Sequence, residues 1–325
     1  MDTAQLIEGV LAGQRRALAR MLSAVEAGEE QQLREVIAAV HPHTGQAHTI
    51  GVTGPPGVGK STLTGQLVAA QRRRGRTVAV LAVDPSSPFS GGALLGDRVR
   101  MADQVMDEGV YIRSMATRGH LGGLSWAAPQ AVTVMDAAGF DVIIVETVGV
   151  GQAEVEIASL ADTTMVVLAP GMGDSIQAAK AGILEVADLY VVNKADREGA
   201  GRTVREIEGM RHLAPDTGGW EPPVLQSVAQ RGEGIEPIVD VLDRHLAWAS
   251  ASGARIRQRH RAARVQVREI VLSSVRRRMQ EIDEGTLLDG VLDDVVTRRR
   301  DPYAAADSLI ARLGGWTPWR SARGG

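Results

Sequence analysis

The chain has 325 residues, a formal net charge of −3, 44% hydrophobic residues and only 3% aromatics. That suffices for a substantial aliphatic core, in one large domain or two modest ones. The slightly acidic balance argues against nucleic acid or a membrane surface as partner, and the lack of Cys excludes disulfides, thiolate metal sites and cysteine nucleophiles.

The first residues, MDTAQLIEGV, show no basic leader ahead of an apolar run. No apolar stretch approaches the ~20 residues needed to cross a bilayer. With the lack of Cys, this pattern fits a cytoplasmic protein. Of 36 basic residues, only Lys60, Lys180 and Lys194 are lysines. A lysine kept among so many arginines marks a position where a compact ammonium is not interchangeable with a planar guanidinium.

Residues 3 to about 40 read as two amphipathic helices, with Leu6, Val10, Leu11, Leu18, Leu22 and Val25 at helical spacing, then Leu33, Val36, Ile37 and Val40. A polar linker with His41, Pro42, His43 and Gly45 follows. His41, His43 and His48 are weak candidates for metal ligands, since no thiolate or carboxylate cluster accompanies them. From Thr49 the pattern changes to apolar runs at 49–53, 77–83, 109–113, 141–146, 163–168, 189–193 and 223–226, separated by helical segments. Continuously apolar runs suit parallel strands covered on both faces. After about residue 250 the pattern is helical again, with a stripe of Ile256, Ala263, Val267, Ile270, Val271, Val275 and Met279 flanked by many Arg. The expected organisation is a helical extension over 1–45, a three-layer α/β domain over 46–250 with a mostly parallel sheet, and a helical arm over 251–325.

Three motifs carry chemistry. Gly54, Pro55, Pro56, Gly57, Val58, Gly59, Lys60, Ser61 and Thr62 spell a P-loop, G-x-x-x-x-G-K-[ST], placed after an apolar strand and before a helix. Glycines let successive amides curl around phosphates, the helix N-terminus adds its positive dipole end, Lys60 is expected on the β- and γ-phosphates, and Ser61 on Mg²⁺. Asn193, Lys194 and Asp196 form N-K-x-D at the end of the sixth strand. Asp196 can accept from both guanine N1–H and the 2-amino group, whereas adenine would leave a buried carboxylate unpaired. The Lys194 stem covers the base, and the segment Ser227, Val228 and Ala229 is placed to offer a backbone N–H to guanine O6. Thirdly, Glu146 ends the fourth strand and is followed by Thr147, Val148 and Gly149, the layout of a metal-linked acid beside a phosphate-sensing loop.

GPPGVGKST, VDPSSPFSGGALLGDRVRM, RSMATRGHLGG, ETVGVGQAEVEI, PGMGDSIQAAKAGI and NKAD occur in this order. Together they make the chain resemble the MeaB/ArgK group, which includes the methylmalonic aciduria type A protein. The resemblance implies a P-loop GTPase that binds GTP and GDP. It further implies a chaperone gating adenosylcobalamin delivery to methylmalonyl-CoA mutase, or a related B12-dependent mutase, and a homodimer formed through the helical extensions. By the same resemblance Glu146 is the Walker-B-like acid, and Asp84 and Asp97 flank the first switch near Mg²⁺ with Ser61. From the residues alone, Asp84 reads equally as a turn Asp before Pro85. Val150 cannot align an attacking water. Gln152, Arg100 and Lys180 are the candidates for that task or for supplying charge, so hydrolysis is expected to be slow until a partner reorganises a switch. Lys180 reads either as a solvated helix lysine or as part of a third switch. Two other readings share the P-loop: a GTPase metallochaperone for a nickel enzyme, disfavoured by the lack of Cys, and a small-molecule kinase, which has no use for a guanine reader.

Overall fold

The computed structural model describes residues 3–27, 30–85, 106–117, 127–147, 153–171, 184–211, 219–283 and 286–312. The chain forms two compact units, Met1–Ala262 and Ala263–Gly325.

The first unit is a three-layer P-loop NTPase fold. Its strands are β1 (His48–Thr53), β2 (Val78–Pro85), β3 (Val110–Thr117), β4 (Val142–Thr147), β5 (Thr163–Leu168), β6 (Leu189–Asn193) and β7 (Val224–Ser227). They form one seven-stranded sheet in the order β3-β2-β4-β1-β5-β6-β7, and every described pairing is parallel. Each residue of β1, β4, β5 and β6 is buried. Burial on both faces explains why the middles of these strands are apolar, with polar residues kept to their ends. The chain order reverses at β1: β2 lies to one side of it and β5 to the other. The C-terminal edge of such a switch point is where α/β sheets bind ligands.

Three helices rather than two precede the sheet: α1 (Thr3–Leu11), α2 (Arg15–Ala27) and α3 (Glu30–Val40). Gly13 causes the extra break. It sits at φ +69, and Gln14 N–H reaches Gly9 O at 2.8 Å while Gly13 N–H reaches Val10 O at 2.9 Å. These paired bonds close α1 with a Schellman motif. The apolar faces of α1–α3 join the core cluster on one face of the sheet, which also takes in α5 (Ala127–Ala137). The other face is covered by α4 (Lys60–Arg73) and α8 (Ile235–Ala251). Among the described residues, two further helices, α6 (Ala153–Leu160) and α7 (Ala200–Arg211), pack into the core clusters through Ile157, Ala200 and Ile207.

At the N-terminal edge of the sheet lies a polar network that the sequence did not announce. His48 Nε2 and His245 Nδ1 each lie 2.8 Å from the Thr163 hydroxyl. His245 Nε2 faces Asp188 Oδ1 at 3.3 Å. Burial pushes the His48 imidazole down to about 4, with Asp162 pulling the other way and the Arg255 charge adding to the fall. A neutral His48 is consistent with a directed chain in which His48 donates to Thr163, Thr163 to His245, and His245 to the Asp188 carboxylate. His48 therefore serves the base of β1, whereas His41 and His43 sit on an exposed 3₁₀ turn.

The same edge anchors the start of α9 (Ala254–Asp283). Arg255 reaches Asp162 Oδ2 at 3.0 Å and Arg259 reaches Asp162 Oδ1 at 2.9 Å. The two guanidinium groups also donate to the Ala47 carbonyl. Burial opposes the charge on Asp162, but the hydrogen bonds and positive charges of Arg259 and Arg255 outweigh it and hold the carboxyl below its ordinary range.

The second unit contains the remainder of α9 with α10 (Thr286–Val296) and α11 (Pro302–Arg312). Ala305 and Leu309 of α11 are buried. On α9, Val267, Ile270, Val271 and Val275 are exposed in the single chain. Among the described residues, no helix is long and apolar enough to cross a membrane.

Candidate functional site

Residues 54–59 connect the end of β1 to the start of α4, and this loop crosses toward β5. Gly54, at φ +135, packs so closely that a Cβ there would lie 2.1 Å from the Val167 carbonyl oxygen. Gly59, the left-handed N-cap of α4 at φ +94, would place a Cβ 2.6 Å from Asn193 Nδ2. Both positions therefore require glycine, for backbone conformation and for space. The crest of the loop, Pro56 and Gly57, is exposed, while Gly54, Pro55 and Val58 are buried. The first amides of α4 open toward this crest, the arrangement that receives anions.

Lys60 is buried, and its Nζ donates to the carbonyls of Gly54 at 2.6 Å and Pro55 at 3.0 Å. Ser61 donates from Oγ to Glu146 Oε1 at 2.6 Å. Glu146 is 4% exposed. It stands on β4, beside β1, where the register pairs it with Val52. Thr62 follows in the first turn of α4.

The opposite end of the site comes from β6 and β7. Asn193 ties three segments together. Its Nδ2 donates to Val58 O at 2.9 Å, and its Oδ1 accepts from Ala229 N–H at 3.0 Å and Ser227 Oγ at 3.2 Å. Lys194 adopts φ +57, a left-handed conformation unusual for a residue with a side chain. Its Nζ donates to Gly57 O at 2.6 Å, so its stem runs from the base-reading loop back to the P-loop. Ala195 N–H donates to Ser227 O at 3.0 Å, and Val228 N–H to Glu233 O at 3.0 Å. Among the described residues, Asp196 takes one hydrogen bond, from Arg231 Nη2 to its Oδ2 at 3.4 Å. The loop of β1 and the loops after β6 and β7 are thus cross-linked by Asn193 and Lys194 across the end of β5.

A model described as "Methylmalonyl Co-A mutase-associated GTPase MeaB" matches residues 18–284. The chain belongs to the MeaB family. A putative GTPase of Pyrococcus abyssi is 44% identical over 312 residues, covering 95% of this chain and 96% of that protein. The mouse protein named methylmalonic aciduria type A homolog, mitochondrial, is 34% identical over 288 residues, 83% of this chain and 69% of that protein. A crystal structure titled LAO/AO transport system kinase matches with a TM-score of 0.70 at 27% identity, covering 96% of this chain and 98% of that one.

Membership of the MeaB family makes this a P-loop GTPase fold with GTP or GDP as its nucleotide. Several residues singled out in the sequence cannot be located. Asp97, Arg100, Gly149, Val150, Gln152 and Lys180 lie outside the described residues, and of Asp84 only the backbone, near the end of β2, is described. Sequence reasoning also missed two groups. The carbonyls of Gly57 and Val58 serve as acceptors for the N-K-x-D motif, and Arg231 touches Asp196. A basic residue inside the tight Gly-flanked turn after β7 was the available signal for Arg231.

Proposed function

We propose that this MeaB-family GTPase hydrolyses GTP to GDP as a chaperone. In this reading it gates adenosylcobalamin delivery to methylmalonyl-CoA mutase, or a related B12-dependent acyl-CoA mutase, and protects that enzyme. The observation that carries the nucleotide part is Asn193, which joins the P-loop to both base-side loops through Val58, Ser227 and Ala229. Base recognition and phosphate binding then share one rigid frame. The mutase part rests on the family's description and on the name of the mouse relative.

Each residue has a role in this reading. The amides of residues 57–62 take the phosphate oxygens, with the α4 N-terminus behind them. Lys60 exchanges the carbonyls of Gly54 and Pro55 for the β- and γ-phosphates. Asp196 accepts from guanine N1–H and the 2-amino group, and the Lys194 stem covers the base. Ala229 N–H, now on Asn193 Oδ1, is the amide from the Ser227–Ala229 segment that can be shared with guanine O6.

Ser61 and Glu146 supply a hydroxyl and a carboxylate 2.6 Å apart, a hard oxygen-only donor set that fits Mg²⁺. These two would hold the ion, with Asp84 and Asp97 completing the site by family resemblance. The ion would supply positive charge to neutralise the phosphates. With valine at position 150, the free protein turns over slowly, and the mutase supplies the missing organisation through the segments around Gln152, Arg100 or Lys180.

In this reading the helical extension over 1–45 precedes nucleotide chemistry in 46–250, and 251–325 is a dimerising arm. Support for the arm comes from the exposed apolar Val267, Ile270, Val271 and Val275. The test is affinity capture from a cell extract, with and without a non-hydrolysable GTP analogue. Recovery of a cobalamin-dependent mutase, changed by the analogue, is expected. Stoichiometric nickel binding would favour the metallochaperone reading instead, and a phosphorylated small-molecule product would favour a kinase.

A further inference from the structure

We propose that Arg231 is a positioning residue for guanine selection: it orients the Asp196 carboxylate so that both oxygens meet the base. The inference rests on the reading of Asp196 as the guanine acceptor.

The turn that carries Arg231 is rigid. Val228 and Glu233 exchange two backbone bonds, at 3.0 and 3.3 Å, and Arg231 N–H closes on Val228 O at 2.9 Å. Gly232 and Gly234 follow in left-handed conformations, and a Cβ on Gly234 would lie 2.2 Å from the Gln226 carbonyl oxygen. The turn is tied to the N-K-x-D loop by Ala229 N–H on Asn193 Oδ1 and by Ala195 N–H on Ser227 O. The Arg231 backbone is therefore held in a fixed relation to Asp196.

Asp196 needs a guide. Its side chain is 35% exposed, and carboxylate rotation about χ2 is intrinsically broad. Among the described residues, Arg231 is the side chain that hydrogen-bonds and ion-pairs with it. The contact is single and long, Nη2 to Oδ2 at 3.4 Å, whereas a bidentate fork would occupy both oxygens. Oδ1 takes part in none of the described bonds, and Oδ2 retains a lone pair. Two parallel donors on a base can still approach. Behind the guanidinium, Glu233 Oε1 lies 3.8 Å from Nη1 and balances its charge from the other end. Arg231 and Glu233 are 60% and 59% exposed, so the row Glu233, Arg231, Asp196 biases the carboxylate toward one orientation through Oδ2 without consuming it.

The specific consequence concerns the 2-amino group. A carboxylate free to turn keeps one bond, to N1–H, more easily than it keeps two. Guanine and hypoxanthine differ by that second donor. Losing Arg231 should reduce the preference for GDP over IDP more than it reduces binding as such.

The experiment is competitive equilibrium binding of GDP and IDP to the full chain, for wild type, Arg231→Ala, Arg231→Lys and Asp196→Ala, with melting temperatures measured in parallel. Arg231→Ala is expected to lower the GDP-to-IDP affinity ratio about three- to fivefold, the reach of one exposed ion pair. Arg231→Lys should recover part of the ratio, and neither variant should shift the melting temperature by more than a few degrees. Asp196→Ala should collapse the ratio. If Asp196→Ala collapses it and both Arg231 variants match wild type, the role given to Arg231 is wrong while the guanine reading stands. If Asp196→Ala leaves the ratio intact, the guanine reading fails and the role of Arg231 with it.

Discussion

At the C-terminal edge of the sheet, Lys60, Ser61, Glu146 and Asn193 are buried beside a glycine loop. At the opposite edge His48, Asp162, Thr163 and His245 are buried as deeply. The partners differ in kind. Lys60, Lys194 and Asn193 donate to the carbonyls of Gly54, Pro55, Gly57 and Val58, main-chain acceptors at the rim of a binding loop. The lower residues bond chiefly to one another and to Arg255 and Arg259, which fix the start of α9. The upper arrangement leaves charged groups available for exchange with a ligand. The lower one holds elements together. The same strands, β1 and β5, run between the two edges, so a substitution at either edge reports on one property with the other as control.

The largest effect is expected at the upper edge. Asp196→Asn removes the acceptor for two guanine donors and should cost roughly 3–5 kcal/mol of GTP binding, with preference moving toward xanthosine triphosphate. Calorimetric titration measures both, and thermal stability should stay close to wild type.

Next comes the lower edge. Asp162→Ala strands two guanidinium groups near the sheet base, so stability should fall by about 2–4 kcal/mol. The loss is moderated because Arg259 remains partly in solvent. Denaturant unfolding gives the stability, and GTP affinity should remain within about twofold. A large loss of affinity with unchanged stability would reverse the division between the two edges.

The third effect is a pH dependence belonging to the lower edge. His48 binds its proton less readily folded, at about 4, than unfolded, at 6.5. Between those values the unfolded chain holds more protons, so stability is complete above the upper value and declines as pH falls toward the lower one. The loss is on the order of 2–3 kcal/mol. Asp162 adds a further decline only below its ordinary carboxylate range, because its folded form resists protonation. Melting curves at pH 7, 6, 5 and 4.5 should show the slope, and His48→Gln should flatten it.

Smallest is Lys194→Ala, which removes the stem over the base and the bond to Gly57 O. It should weaken GTP binding by about 1 kcal/mol and leave the melting temperature unchanged.

At the upper edge the P-loop and the N-K-x-D motif were legible because their chemistry is concentrated in contiguous strings. GPPGVGKST and NKAD each place several groups by local backbone geometry, and the strands before them are buried throughout. Expected runs such as 163–168 and 189–193 coincide with β5 (Thr163–Leu168) and β6 (Leu189–Asn193). The lower edge was not legible. His48, Thr163, Asp188 and His245 are single residues from β1, β5, the approach to β6 and α8, and only sheet register and the packing of α8 bring them together. The N-terminal helix count failed for a local reason, since the apolar spacing continues across Gly13 while its left-handed backbone ends α1. The contact between Arg231 and Asp196 depends on two loops meeting across β6 and β7, which no spacing rule encodes.

The most direct test of the proposed function is GTP turnover by the full chain, alone and with the adenosylcobalamin-dependent methylmalonyl-CoA mutase of the same organism, with ATP as a parallel substrate. Slow turnover of GTP alone, at least about tenfold faster turnover with the mutase, and none of ATP in either case is the expected result. Equal hydrolysis of ATP, or GTP turnover unmoved by the mutase, would contradict it.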